Sequence, residues 1–357
     1  MDSQGRTPLR IGLIWFVLAM SLLHCHRGGE IGFRTGSPTD ALPTWISPLL
    51  ASGLRPDWSA DGTRLAYLDA LLGNAHELEL ATGESRNLTG HFEHRGFTRA
   101  RYLASGDLLL CGPGGAGAQG AAEGGTEKGD RWQTELFFLP GNGRGLAQRL
   151  EEPCFEGPAV SRRDMQIAWT RSEYPEKIVF GRSEIWTGRI QVEGDRARLV
   201  DRRRRVQRAD FMYLAFLETQ DFRPPDDQEL LFTAYAYRGG EVMGIDLVSG
   251  ELINYSHDWA YDEAEGIFPD GKSIAVEREV DTYTAVPIGD IDIWQLTLDG
   301  SGASRRLTYF SEYAGYGANN PVISPDGRKM AFSLRLKGGE HGNGQGILLY
   351  DFEQAPP

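Results

Sequence analysis

Only three cysteines occur in the 357 residues of this chain, too few for a scaffold stapled by disulfides. No apolar run reaches the length of about 18 residues that a membrane-spanning helix needs. Basic residues are short as well: 37 Lys and Arg stand against 50 Asp and Glu, a net charge of −13. That balance argues against nucleic-acid binding held by bulk electrostatics. Several catalytic signatures are missing, among them G-x-S-x-G, H-E-x-x-H and C-x-x-C. One literal G-x-G-x-x-G occurs at residues 115–120, but it runs into GAAEGGTEKGD rather than a helix. Residues 112–129 therefore read as a flexible insertion and not as a nucleotide loop. Glycine is what the chain has in excess, 45 residues, beside 10% aromatics and 40% hydrophobics. This is a folding chain with many turns joining many short strands.

The first residues read as an address. Arg6 and Arg10 precede the apolar run IGLIWFVLAMSLL at residues 11–23, the pattern of a signal peptide. Two cleavage points fit. Ala19-Met20-Ser21 puts small residues at −3 and −1, and Leu22-Leu23-His24-Cys25 resembles a bacterial lipobox that would acylate Cys25, with His24 standing where that pattern has a small residue. The expected organisation is a signal segment at 1–24, a linker at 25–45 and one folded domain at 46–357. The product is exported, to the periplasm or as an outer-membrane lipoprotein whose only membrane contact is an anchor at Cys25. The remaining Cys111 and Cys154 either pair, as export would allow, or stay as two buried thiols.

Internal repeats carry the fold. PDWSADGTRLAYL (56–68), GIFPDGKSIAVE (266–277) and PVISPDGRKMAFSL (321–334) share one grammar, and weaker copies lie at 101–111, 158–169 and 222–235. A short apolar strand runs into a turn in which Asp bonds its own loop and Gly supplies positive φ. A second apolar strand follows, then a third such as HELELAT or IDIWQLTLDG, then a polar fourth such as RNLTG or RRLTYF. Four strands in each of six copies is the pattern of a propeller blade. The last copy lacks its fourth strand, whereas Ile46 to Ser52 directly precedes the first copy. That N-terminal segment is therefore expected to close the last blade, leaving no open edge.

The three clear copies resemble the PD40, or WD40-like, repeat of TolB-type β-propellers. The resemblance covers residues 48–353 and implies an all-β, six-bladed propeller without the α/β domain that precedes the propeller in TolB. It implies a non-enzymatic binding scaffold, a monomer engaging an envelope protein or a glycan through its funnel face, with no cofactor. Related propellers include polysaccharide lyases of the oligogalacturonate type, and that alternative would place a divalent cation in the funnel, with His91, His94, Glu156, His257 and Glu265 as candidates.

In a propeller the connection from a fourth strand to the next first strand lies around the central funnel. The candidate site residues are those in or just after these connections: Arg55, His91, His94, Arg101, Glu156, Gln220, His257, Glu263, Glu265, Asn319 and Asn320. Asp262, Glu263 and Glu265 crowd three carboxylates into four positions, a pattern able to bind a cation or share a proton. Glu277, Glu279 and Asp281 are expected on an exposed edge. The run Arg196, Arg198, Arg202, Arg203, Arg204, Arg205 and Arg208 reads as a solvated loop extending the third blade, with an anion site as the functional alternative. The glycine-rich residues 338–346 read as a mobile hairpin loop.

Overall fold

The chain folds as six four-stranded antiparallel sheets arranged in a ring. This computed structural model describes residues 33–114, 131–141, 143–177, 181–211, 216–279, 291–337 and 345–356. Strand β1 (Ile46–Leu50) opens the fold. Blade one follows as β2 (Leu54–Trp58), β3 (Arg64–Leu68), β4 (Ala75–Glu79) and β5 (Ser85–Asn87). Blade two is β6 (Arg99–Tyr102), β7 (Leu108–Pro113), β8 (Thr134–Leu139) and β9 (Gln148–Pro153). Blade three is β10 (Ala159–Val160), β11 (Gln166–Ser172), β12 (Ser183–Glu193) and β13 (Arg196–Gln207). Blade four is β14 (Phe216–Phe222), β15 (Glu229–Tyr235), β16 (Gly240–Asp246) and β17 (Leu252–Asn254), and blade five is β18 (Asp262–Ile267), β19 (Ser273–Glu279), β20 (Ile291–Thr297) and β21 (Ser304–Arg306). Blade six is β22 (Tyr316–Ile323), β23 (Lys329–Leu336) and β24 (Ile347–Asp351), completed on its outer edge by β1.

The closure expected from the repeat arithmetic is thus present. β1 pairs antiparallel with β24, Ile46 opposite Tyr350 and Pro48 opposite Leu348. Ile46 is buried with Phe332, Leu348 and Tyr350, and Leu42 and Trp45 pack against the same cluster. The Asp-containing turns work as their chemistry requires. Asp61 accepts from the Ser59 hydroxyl and the Thr63 N–H, and these donors hold its carboxyl down to about 2. Gly62 follows at φ +70°. The R-x-L-T signature of the fourth strand also has a physical role, since the hydroxyls of Thr89 and Thr308 accept the N–H groups of Ala75 and Ile293 across the sheet.

The second strands carry a further regularity. Thr170, Thr233, Glu277 and Ser333 occupy one position, after Trp169, Phe232, Val276 and Phe332, and each side chain accepts an N–H from the first strand of the next blade: Thr219, Ala264, Asn320 and Arg55 respectively. These bonds latch neighbouring blades around the ring.

One expectation changes here. The arginine run is not a loop. All but Arg208, which opens a short 3-10 turn, lie on β13, which pairs with β12 through an extended hairpin, and Arg202 and Arg204 are held by Glu152 and Glu184 at 2.7 and 3.0 Å. Long strands at an outer edge disfavour pairing with another chain when they carry charge in this way. Of the two glycine-rich insertions, residues 115–130 and 338–344 lie outside the described residues.

Cys111 on β7 and Cys154 just after β9 form a disulfide that ties two strands of blade two, 43 residues apart. Replacing Cys111 by Ser is expected to cost about 2–4 kcal/mol in urea unfolding. Dithiothreitol should lower the wild-type midpoint and leave that of the variant unchanged.

Candidate functional site

The first strands β2, β6, β10, β14, β18 and β22 surround the axis, and their opening residues bring the charged groups together. Arg55 reaches Glu156 at 2.9 Å, and Arg131 holds the other oxygen of the same carboxylate at 2.6 Å. Arg99 lies between Glu218 and Glu265 at 3.7 and 3.8 Å. The amide of Gln220 donates to Glu218 at 3.2 Å. The Tyr235 hydroxyl bridges Glu218 and Glu263, at 2.6 and 2.8 Å, and Tyr261 bonds Glu263 as well. Asn320 donates its backbone N–H to Glu277 at 2.7 Å and its amide to Glu265 at 3.4 Å. Gly157 is glycine for a local reason: a Cβ there would stand 2.7 Å from the Arg99 side chain.

Arg55, Glu156, Gln220, Glu263, Glu265 and Asn320 thus share one network. Arg101 sits beyond it along the channel, paired with Asp221 at 2.8 Å and near the wholly buried Asp57 at 3.5 Å. Asn319 is half-buried in the β22–β23 ladder opposite Ser333. The histidines are not drawn in. His91 faces the carbonyl of Gly145, and His94 bonds Asn74 through Nε2 while Nδ1 accepts the Gly96 N–H. His257 is exposed and uses its backbone N–H on Asn254. Arg55, Glu156 and Asn320 adopt φ of +54°, +61° and +50°, a left-handed conformation that costs a non-glycine residue on the order of 1–3 kcal/mol and gathers at functional sites.

Arg99, Arg131, Glu218 and Glu277, with Tyr235 and Tyr261, join this network without having been singled out as site residues in the sequence. Arg99 and Glu218 precede by two positions the residues singled out on their strands. Glu277, expected on an exposed edge, is instead 4% exposed and faces the channel from the latch position of β19. The ligand oxygens of Glu263, Glu265 and Glu277 all lie within 4.8 Å of one another. Glu279 is also buried, and Asp281 lies outside the described residues. The signal for Glu277 was present: the repeats place Thr or Ser there, and a longer acidic side chain at the same spot must extend past the latch.

The electrostatics divide the carboxylates. Burial alone would raise Glu156, but Arg55, Arg131 and Arg99 outweigh it and hold the group down to about 2. Burial, aided by the charge on Glu265, pushes Glu263 up to about 7 against its two tyrosine hydrogen bonds. Glu218 and Glu277 rise for the same reasons, burial first and then the charge of Glu263. Burial also lifts neighbouring Asp262 to about 7 despite its ion pair with Arg278.

Groups raised in the folded state withdraw stability as pH climbs from their unfolded values near 4 to about 7, whereas Glu156 withdraws it as pH falls from the ordinary range toward 2. The thermal midpoint is therefore expected to fall between pH 5 and pH 8, and Glu263→Gln should flatten that slope in a pH series of calorimetric scans. A midpoint that rises over this interval contradicts the assignment.

On the same side as the fourth-to-first-strand connections an arc of stacked rings leads from solvent to these acids. Arg131 lies 4.0 Å over Trp132. Trp132 contacts Phe155 and Tyr174, Tyr174 stacks on Phe216 at 5.3 Å, Phe216 stacks on Tyr235 at 4.6 Å, and Tyr235 meets Tyr261 at 6.0 Å. The outer members Trp132, Tyr174 and Phe216 are half-buried and the inner ones buried. A closed ring of six four-stranded blades, latched blade to blade and sealed by an N-terminal strand, is the decisive geometry. The chain has the TolB-type propeller fold. It superposes on a TolB from Agrobacterium tumefaciens with a TM-score of 0.53 at 16% identity, over 78% of this chain and 84% of that one. A TolB from Acinetobacter baumannii matches at 0.50 and 12% identity, over 86% and 64%, so this chain spans under two thirds of its length. Hydrazine synthase from Kuenenia stuttgartiensis matches at 0.50 and 14%, over 80% and 74%. No family model and no curated protein matches the chain. Identities this low bear on the fold alone.

Proposed function

We propose that this chain is an exported bacterial binding scaffold that engages a protein or glycan partner on its funnel face without catalysing a reaction. The observation that carries this reading is the unbroken contact from half-buried Trp132, Tyr174 and Phe216 through Tyr235 to the channel carboxylates. Flat rings at a concave mouth offer stacking area to a sugar ring or a planar side chain. Behind them, Glu156, Glu218, Glu263, Glu265 and Glu277 outnumber Arg55, Arg99 and Arg131. A cationic group from a partner entering the channel would offset that excess more directly than protonation does. Export is supported by the basic-then-apolar N-terminus and by the Cys111–Cys154 disulfide, which suits an oxidising compartment. Cys25, the proposed point of lipidation, lies outside the described residues. Affinity capture from native envelope extracts tests the reading. Trp132→Ala and Phe216→Ala should each remove the partner that the wild type retains, and retention by both variants would sink it.

One observation favours a second reading. The convergence of Glu263, Glu265 and Glu277 suits a divalent cation bound by oxygen ligands, which a polysaccharide lyase would use to polarise a substrate carboxylate. The candidate histidines of that reading point elsewhere, so the carboxylates would have to serve alone. Metal analysis of the purified protein, followed by release of unsaturated products from acidic glycans, separates the two. A metal-free protein inert on those glycans excludes the lyase.

A further inference from the structure

The propeller has a cavity that the funnel-face reading does not use. It opens on the opposite face, where the turns between first and second strands lie, and has a volume of about 220 Å³. Trp58, Phe222, Val322 and the ring carbons of Pro225, Pro269 and Pro325 line it. Toward the axis it ends at the Arg101–Asp221 pair and at Arg162, whose guanidinium clamps Asp57 at 2.6 Å. These ion pairs form that end of the cavity, and none of the carboxylates of the acidic network above lines it.

Three arginines here balance three aspartates, Asp57, Asp221 and Asp227, where the channel has an excess of acid. Arg101, Arg162 and Arg163 line the cavity against Asp221 and Asp227. Arg101 and Arg162 are paired with acids, whereas the Arg163 guanidinium is exposed and feels the charge of Asp227 without a direct ion pair to it. Asp227 takes the Ser161 hydroxyl at 2.6 Å. Burial raises both lining carboxyls above their ordinary values.

We infer that this cavity binds a small organic carboxylate with an aromatic or branched apolar body, the body against Trp58 and the prolines and the carboxylate on Arg163. Drug-sized sites run to about 300–1,000 Å³, so the occupant is smaller, of the size of a phenylpropanoate or a single terminal residue of a peptide. The walls contribute by excluding water from the apolar body, and the charge-assisted hydrogen bond to a guanidinium sets the preference for an anion.

The probes are 3-phenylpropanoate, 3-phenylpropan-1-ol and 3-phenylpropylammonium, titrated by calorimetry and saturation-transfer NMR. The anion is expected to bind saturably and most tightly, the ammonium least. Arg163→Glu should weaken the anion about tenfold, equivalent to about 1.4 kcal/mol, with little effect on the alcohol. Ala60→Trp places bulk at the mouth on an exposed turn and should abolish binding of all three. Both positions are on the surface, and unchanged thermal midpoints will confirm folding. Trp132→Ala, on the other face, should leave these titrations unaltered, so their outcome is independent of the partner site. Absence of saturable anion binding, equal affinity for the ammonium, or indifference to both substitutions overturns the inference.

Discussion

Removing residues 45–53 is expected to lower the thermal midpoint by about 10 °C or more, because roughly 5 kcal/mol or more of stability goes with them. The segment supplies β1, whose ladder to β24 is the only strand pairing of that edge among the described residues. Ile46 is 5% exposed and sits among Phe332, Leu348 and Tyr350; truncating such a residue alone costs about 2–5 kcal/mol. The Asp351 N–H loses the Trp45 carbonyl at 2.8 Å, and the remaining ladder groups of β24 are left to water. An unpaired strand edge also invites self-association, so the truncated protein should aggregate before it unfolds. Ile46→Ala keeps the backbone ladder and separates the packing contribution from closure: it should reproduce only part of the loss. A truncated protein with the wild-type midpoint would mean that the ring does not depend on its terminal strand.

Arg99→Met is the second large effect, with an expected cost of about 3–5 kcal/mol at pH 8, the usual penalty for stripping one partner from buried charge. Arg99 is 7% exposed, and the attraction of Glu265 and Glu218 outweighs burial, raising its pKa further. Without it, Glu218 at 2% and Glu265 at 1% exposure lose the guanidinium that lies between them. The cost should therefore shrink at pH 5, where Glu218 and Glu263 take up protons, their pKa values being raised by burial and by mutual repulsion. Adding Glu218→Gln to Arg99→Met should recover part of the loss, read as a coupling in a double-mutant cycle of urea unfolding. Equal costs at the two pH values would show that Arg99 contributes packing rather than charge compensation.

Most of the architecture was legible because each blade repeats one local grammar. The Asp-Gly turns at Asp61, Asp270 and Asp326 mark the first hairpins, and a missing fourth strand in the last copy points to β1. The site was legible only in part. Arg55, Glu156, Gln220, Glu263, Glu265 and Asn320 could be placed because all lie on the first strands or the connections that lead into them. Arg99 and Glu218 share a strand face with Arg101 and Gln220, two residues on, because side chains alternate along a strand. Glu277 belongs to a second strand, where a charged residue among apolar ones reads most simply as an edge; only the inter-blade latch explains why a carboxyl there turns inward. Tyr235 and Tyr261 looked like core rings, and their hydroxyls acquire meaning only from carboxylates contributed by other strands. The arginine run misled for a related reason. Its charges suggested a solvated loop, yet an outer strand has one face and one edge open to water and carries them as readily.

The central claim, that the partner is held on the funnel face by the aromatic arc and the acids behind it, is tested most directly by hydrogen-exchange mass spectrometry of the captured complex. Protection is expected in peptides containing Trp132, Phe155-Glu156, Tyr174 and Phe216, with the turns around Ala60, Arg163 and Pro325 unchanged. Protection confined to those turns, with the arc exchanging as in the free protein, would contradict it.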